Sequence, residues 1–184
     1  MPKQVNDKFF AQKNQLFTIR PLVEEDLPAL EWDGEFKHFR LMYRGHYQNS
    51  LWGNTRIWVA EAEDGEIVGQ VFLMLLSRIE ENADGINRAY VFSFRVKEKV
   101  RNIGLGGFMM DFVENWAREH GFSHLRLNVE RVNKDARRFY ERHGFEVYGS
   151  DPGVWDFRDH NGVWHQRIEP AWKMIKSITL KDEQ

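Results

Sequence analysis

A glycine-rich run, Arg101-Asn102-Ile103-Gly104-Leu105-Gly106-Gly107, lies between a β-rich stretch and a strongly amphipathic one. Glycines in such a turn allow positive φ and let backbone N–H groups come close to a ligand. A helix opening directly after them adds a partial positive charge, so the turn suits a phosphate or pyrophosphate, with Arg101 as a charge-assisted contact. A tight turn that needs glycine only for packing is the competing explanation. The run lacks the Lys-Ser or Lys-Thr of a P-loop. Met109 stands where a dinucleotide fingerprint needs its third glycine. Further on, Tyr140 sits beside Phe139 on an apolar helical face and on residue type alone reads as core. Asn133, just before that helix, is in the same way an ordinary N-cap. The chain has no Cys, so no cysteine nucleophile, disulfide or Cys-ligated metal is available.

Two patterns give these residues a context. Val96 to Gly106 reads V-x-x-x-x-R-x-x-G-x-G, and Asn133 to Phe145 reads N-x-x-A-x-x-F-Y-x-x-x-G-F. Together, at this separation, they closely resemble the GNAT superfamily of acetyl-CoA-dependent N-acetyltransferases. The resemblance is specific over residues 89–148, and element order extends it weakly to 16–176. It implies that the backbone of Val100, Arg101, Asn102, Ile103, Gly104, Leu105, Gly106 and Gly107 binds the pyrophosphate of acetyl-CoA as co-substrate. It implies that Phe94, Arg95 and Val96 pair their backbone with the pantetheine arm, and that Asn133 contacts the same arm. It makes Tyr140 the general acid toward the departing thiolate. A thiol near ~8.5 and a phenol near ~10 make that role chemically reasonable. With no Cys, an acyl-enzyme on cysteine is impossible and a ternary complex is expected.

A base is harder to place. An alkylammonium, pKa near ~10.4, must lose a proton before it attacks. Some family members carry a Glu early in the strand before the glycine turn, where this chain has Arg88-Ala89-Tyr90. Glu31, Asp33 and Glu35 form a candidate acidic rim for a cationic amine, or else are solvated helix-end charges; Tyr90 is a further candidate at the acceptor. Asp156, Asp159, His160 and His165 have no standard zinc spacing and read as turn residues, so no metal is expected. Trp155, Trp164 and Trp172 are either a cross-strand cluster or a wall of the acceptor pocket. Arg137, Arg138 and Arg142 are solvated charge or a contact for the adenosine phosphate.

The elements that must position these groups follow from periodicity. Leu16–Leu22 reads as a strand, Glu24 onward as a helix broken at Asp33-Gly34, and Glu35–Leu51 as a second helix. Strands are expected at Arg56–Glu63, Glu66–Ser77 and Ala89–Val96, the first two joined at Asp64-Gly65. Leu105, Phe108, Met109, Phe112, Val113 and Trp116 give the clearest helix, closed by His120-Gly121. A strand at His124–Glu130 and a helix capped by Asn133 follow. Two β-rich stretches, Phe145–Asp159 and Val163–Ile178, then meet at Asn161-Gly162, with Glu169-Pro170 interrupting the second. The expectation is a single α/β (α+β) domain over 15–178, between an N-terminal arm (1–14) and a C-terminal tail (179–184). Its sheet is mixed and mostly antiparallel, with one central parallel pair splayed at the cofactor slot and about four flanking helices.

Composition bounds the rest. The chain has 184 residues, 42% hydrophobic and 14% aromatic, and Lys+Arg 26 against Asp+Glu 28. That balance gives no support for a nucleic-acid partner. The longest apolar run, Val71–Leu76, is far short of the ~20 residues of a membrane helix, so no membrane partner is expected. A polar N-terminus without a signal core points to the cytoplasm. The expected partner is an amine-bearing small molecule or peptide, and the aromatic last hairpin is a candidate contact for a homodimer. Two other readings compete: a non-catalytic acyl-CoA-binding or sensing module on the same fold, and an unrelated nucleotide-binding α/β protein.

Overall fold

Eight β-rich segments of the chain build one large sheet. The computed structural model describes residues 7–10 and 15–179. Eight strands, β1 (Asp7–Phe10), β2 (Leu16–Pro21), β3 (Thr55–Ala62), β4 (Ile67–Met74), β5 (Arg88–Val96), β6 (His124–Glu130), β7 (Glu146–Asp151) and β10 (Ala171–Ser177), lie in the order β1-β2-β3-β4-β5-β6-β10-β7. All neighbours are antiparallel except β5 and β6, whose connection runs through a helix, as a parallel pair requires. β8 (Val154–Arg158) and β9 (Trp164–Ile168) form a separate two-stranded hairpin.

Helices cover both faces. α2 (Leu105–Glu119) buries Leu105, Met109, Met110, Val113 and Ala117 completely against one face, along with Val71, Leu73, Leu125 and Leu127 from the strands. Lys176 on β10 donates to both oxygens of the buried Glu114 at 2.6 Å, tying that helix to the strand between β6 and β7. α1 (Arg40–Leu51) packs on the other face, where Tyr43 meets Leu30, Phe39, Val59 and Phe72. β4 is buried along nearly its whole length, as a strand covered on both sides must be.

The sequence expectation holds in architecture and differs in detail. The first expected helix is a 3-10 segment, Glu24–Glu31, because Pro28 inside it lacks an N–H and crowds the turn before it. The second starts in a 3-10 turn, Lys37–Phe39, and becomes α only at Arg40. Each of the two last β stretches divides in two. Pro152 and Pro170 interrupt the ladder on opposite arms, so β7 and β10 stay in the main sheet while β8 and β9 leave it. Within the expected arm, Asp7–Phe10 is a strand paired with β2; the rest of the arm, 1–6 and 11–14, and the tail beyond Thr179 lie outside the described residues.

His46 on α1 shows what burial does to a polar group here. Its ring packs edge-on to Phe92 and Phe72, at 4.7 and 5.8 Å between centroids, and its Nδ1 is buried with no partner among the described residues. Burial pushes the imidazole down to about 4. The folded pKa lies below the unfolded value near ~6.5, so the unfolded chain binds the extra proton and stability falls as pH drops through that interval. The expected loss approaches about 3 kcal/mol by pH 4. His46→Phe should flatten the dependence of melting temperature on pH between 6.5 and 4.5, and an unchanged slope would refute the assignment.

Candidate active site

β5 holds the site because it parts from its parallel neighbour. Arg88, Ala89 and Tyr90 pair with His124, Leu125 and Arg126, and pairing ends there. Toward β4 the ladder continues, but between Phe92 and Arg95 two residues, Ser93 and Phe94, face the single Val71. Ser93 takes φ 48°, and Gln70 Nε2 holds it by donating to Ser93 Oγ at 2.9 Å. This bulge turns the strand and re-aims its side chains. Phe92 and Arg95, opposite Phe72 and Gln70, face α1, whereas Phe94 packs on Phe139 at 5.8 Å on the other face. The β6-facing backbone beyond Tyr90 is left without a strand partner.

Beside this opening, the glycine run forms a turn into α2. Asn102 (φ 61°) and Gly104 (φ 92°) are left-handed, and Gly104 is the N-cap of α2. Phe108 donates the first helical bond, to Gly104 O at 3.0 Å, so the N–H groups of Leu105, Gly106 and Gly107 have no acceptor within the helix. Leu105 is wholly buried, its side chain packed in the core beneath the turn. Arg101 Nε donates to Val96 O at 2.8 Å, closing the turn onto β5.

α3 (Lys134–Arg142) forms the opposite wall. Asn133 Oδ1 accepts from Ala136 N at 3.0 Å, a working N-cap. Tyr140 packs edge-on to Phe139 and Phe145, at 5.4 and 5.8 Å. Its hydroxyl has no hydrogen-bond partner among the described residues. Burial, with Tyr90 nearby as a lesser cause, pushes the phenol well above its ordinary value, so it stays protonated.

These parts enclose a cleft of about 1450 Å3. Of the expected residues it is lined by Phe94, Arg95, Val96, Arg101, Asn102, Gly104, Gly106, Gly107, Asn133, Tyr140, Asp33 and Glu35. Ile103 and Leu105 pack instead against the core below. Tyr90 lies at the last paired residue of β5, and burial raises its phenol strongly; it is not among the described lining residues. Glu31 is engaged by Arg40 at 2.6 and 2.9 Å and borders a smaller adjoining pocket with Asp33. Asp159 is a turn residue: His165 holds it at 2.9 Å and the N–H groups of Val163 and Asn161 donate to it, keeping its carboxyl at about 2. No group of three metal-ligating side chains occurs among the described residues. Arg137 and Arg138 bond to Glu141 and Asp135 on their own helix, and Arg138 and Arg142 both line the cleft. The three tryptophans separate. Trp155 packs near Phe39, Trp164 is exposed, and Trp172 lies under Arg131 and Arg137.

Sequence reading missed the residues on the α1 side, namely Phe36, Tyr43, Gln70 and Ser93. A bulge leaves no reliable mark in a β-rich stretch. Simple alternation through A-Y-V-F-S-F-R-V puts Phe94 where the structure puts Arg95.

Free helix N–H groups, a glycine surface, and Arg101 and Arg142, which form no ion pair among the described residues, suit a pyrophosphate, and the open edge of β5 suits an amide-bearing arm. Comparison with known proteins agrees. Residues 19–145 match the acetyltransferase (GNAT) family, and the chain belongs to it. It is 26% identical over 135 residues to the probable N-acetyltransferase san of Drosophila melanogaster, covering 70% of this chain and 67% of that one. It is 29% identical to streptothricin acetyltransferase of Streptomyces lavendulae over 102 residues, half the length of that protein. The fold is shared with Ard1 from Thermoplasma volcanium (TM-score 0.67, 21% identity, 90% of this chain and 99% of that one). It is also shared with the ribosomal-protein-S18-alanine N-acetyltransferase of Escherichia coli (TM-score 0.67, 18% identity, 91% and 97%).

Proposed function

We propose that this protein transfers an acetyl group from acetyl-CoA directly to a primary amine within a ternary complex. The observation that carries the reading is the unpaired edge of β5 beyond Tyr90, lying between the glycine turn and Tyr140. The free N–H groups at the start of α2 would hold the pyrophosphate, and Arg101 and Arg142 would add charge. The edge of β5 would align the pantetheine amides, and a β5 N–H would face the developing oxyanion. The neutral amine nitrogen bonds to the thioester carbonyl carbon, and the C–S bond breaks as the tetrahedral intermediate collapses. The Tyr140 hydroxyl donates its hydrogen bond to the departing sulfur and the proton lost by nitrogen returns to solvent. The absence of Cys leaves no cysteine to carry the acetyl group between steps. Relatives named as N-acetyltransferases support an amine acceptor.

The test is thiol release from acetyl-CoA across a panel of polyamines, amino sugars, amino acids and short peptides, alongside thermal shift with CoA, ATP and NAD. Turnover with at least one acceptor and a CoA-selective shift are expected. Binding of acetyl-CoA with no turnover on any acceptor would instead favour a sensing module.

A further inference from the structure

Most cations near this cleft and the adjoining sheet are answered by a carboxylate. Arg20 bonds to Asp26 and Glu61, Arg40 to Glu31, and Lys97 to Glu66. Arg95 is different. The β5 bulge turns it off the cofactor face and into the α1 side of the cleft, where its guanidinium carbon lies 3.9 Å from the centre of the Phe36 ring and 5.6 Å from that of Phe39. Its Nη1 donates to the buried Tyr43 hydroxyl at 2.5 Å. Among the described residues no carboxylate lies within 4.0 Å of it. A half-buried guanidinium braced by two aromatic faces and one phenol has its direction fixed, but most of its donors remain for a ligand.

A second cation lies close by. Phe39 packs on Phe157 of the β8–β9 hairpin at 5.0 Å, and Arg167, also in no ion pair among the described residues, lies 5.7 Å from the Phe157 ring. His38, between them at 4.0 Å from Phe39 and 5.7 Å from Phe157, is held below its ordinary value, first by burial and then by Arg167 and Arg95. On the opposite face of β5, Phe94 packs on Phe139, the ring that lies beside Gly106, so the Arg95 side chain leaves the strand on the face away from the glycine turn. Asp33 and Glu35 line the same cleft and would face the ammonium of an approaching acceptor.

We propose that Arg95 binds a carboxylate carried by the acceptor, so that the amine acetylated belongs to an amino acid or an acidic peptide and not to a plain polyamine. This rests on the acetyl-transfer reading above. A planar carboxylate matches the guanidinium fork, and a charge-assisted pair in a partly dry site discriminates strongly against the neutral analogue.

The experiment compares matched acceptors. Amino acids and short acidic peptides are each measured against the amide or decarboxylated amine of the same skeleton, by thiol release from acetyl-CoA. Wild type should favour the carboxylate member by about tenfold or more in kcat/KM. In Arg95→Gln that ratio should collapse toward one, while Arg95→Lys keeps part of it; the ratio within each variant cancels any general loss. The KM for acetyl-CoA should stay the same in both variants. Wild-type turnover without carboxylate preference, or a raised KM for acetyl-CoA in Arg95→Gln, would overturn this inference alone. Turnover of no acceptor would overturn the acetyl-transfer reading and this inference with it. Amino acids preferred over peptides would identify a small-molecule acceptor, and the reverse a protein terminus; either supports the role of Arg95.

Discussion

Tyr140→Phe is expected to lower kcat about 100-fold, the lower range for loss of a positioned proton donor, with little change in acetyl-CoA affinity or melting temperature. The hydroxyl makes no hydrogen bond within the protein among the described residues, so removing it leaves no protein group unsatisfied. The ring keeps its edge-on contacts with Phe139 and Phe145. A phenol raised by burial is fully protonated at neutral pH, so it has a proton to donate to the leaving sulfur and cannot act as a base. Its own ionisation therefore should not shape the rate below pH 10, and any earlier limb in the pH profile belongs to the acceptor amine. Full transfer to a free thiolate near ~8.5 would be uphill, so the phenol acts while the C–S bond is breaking and sulfur charge is developing. A variant that keeps kcat within about threefold would reduce Tyr140 to a packing residue, leaving the thiolate to leave unaided.

The contrast between Tyr140 and Arg95 shows what could be read in advance. Tyr140, Asn133 and the glycine turn sit on helices or at their starts, where position along the chain fixes position in space. The 3.6-residue period places Phe139 and Tyr140 on the face that meets the sheet. The stop signals Gly121 and Gly144 close their helices where expected, and Asn161-Gly162 closes its hairpin. Arg95 lies beyond a bulge, and inserting one residue exchanges the faces of every side chain that follows. Nothing in Phe92-Ser93-Phe94-Arg95 announces that shift, because it is set by Gln70 from the neighbouring strand. In the same way Glu31, by sequence a candidate for binding an amine, is taken by Arg40 from the start of α1. Long-range partners decide which charges remain available, and they are what periodicity cannot supply.

Two glycines two residues apart should fail in opposite ways when replaced. Gly104 sits at φ 92°, and a Cβ there would lie 3.2 Å from the Phe9 ring of β1. Gly104→Ala should therefore cost about 2 kcal/mol of stability, lowering the melting temperature by roughly 4–8 °C for a chain of this size. Gly106 has ordinary helical backbone, and a Cβ there meets Phe139 only at 3.5 Å, a normal contact. Gly106→Val should change stability by less than about 1 kcal/mol, since leaving glycine recovers helix propensity. The branched side chain would nonetheless stand over the N–H groups of the first turn of α2 and keep an anion from reaching them. Losing two such charge-assisted bonds, each worth about 1.5–3 kcal/mol, should weaken acetyl-CoA binding about 100-fold or more. Calorimetric titration and thermal melts on the two variants separate these effects. If Gly106→Val binds acetyl-CoA as tightly as wild type, the pyrophosphate does not lie on this turn, and the glycines there serve only the packing of α2 against α3.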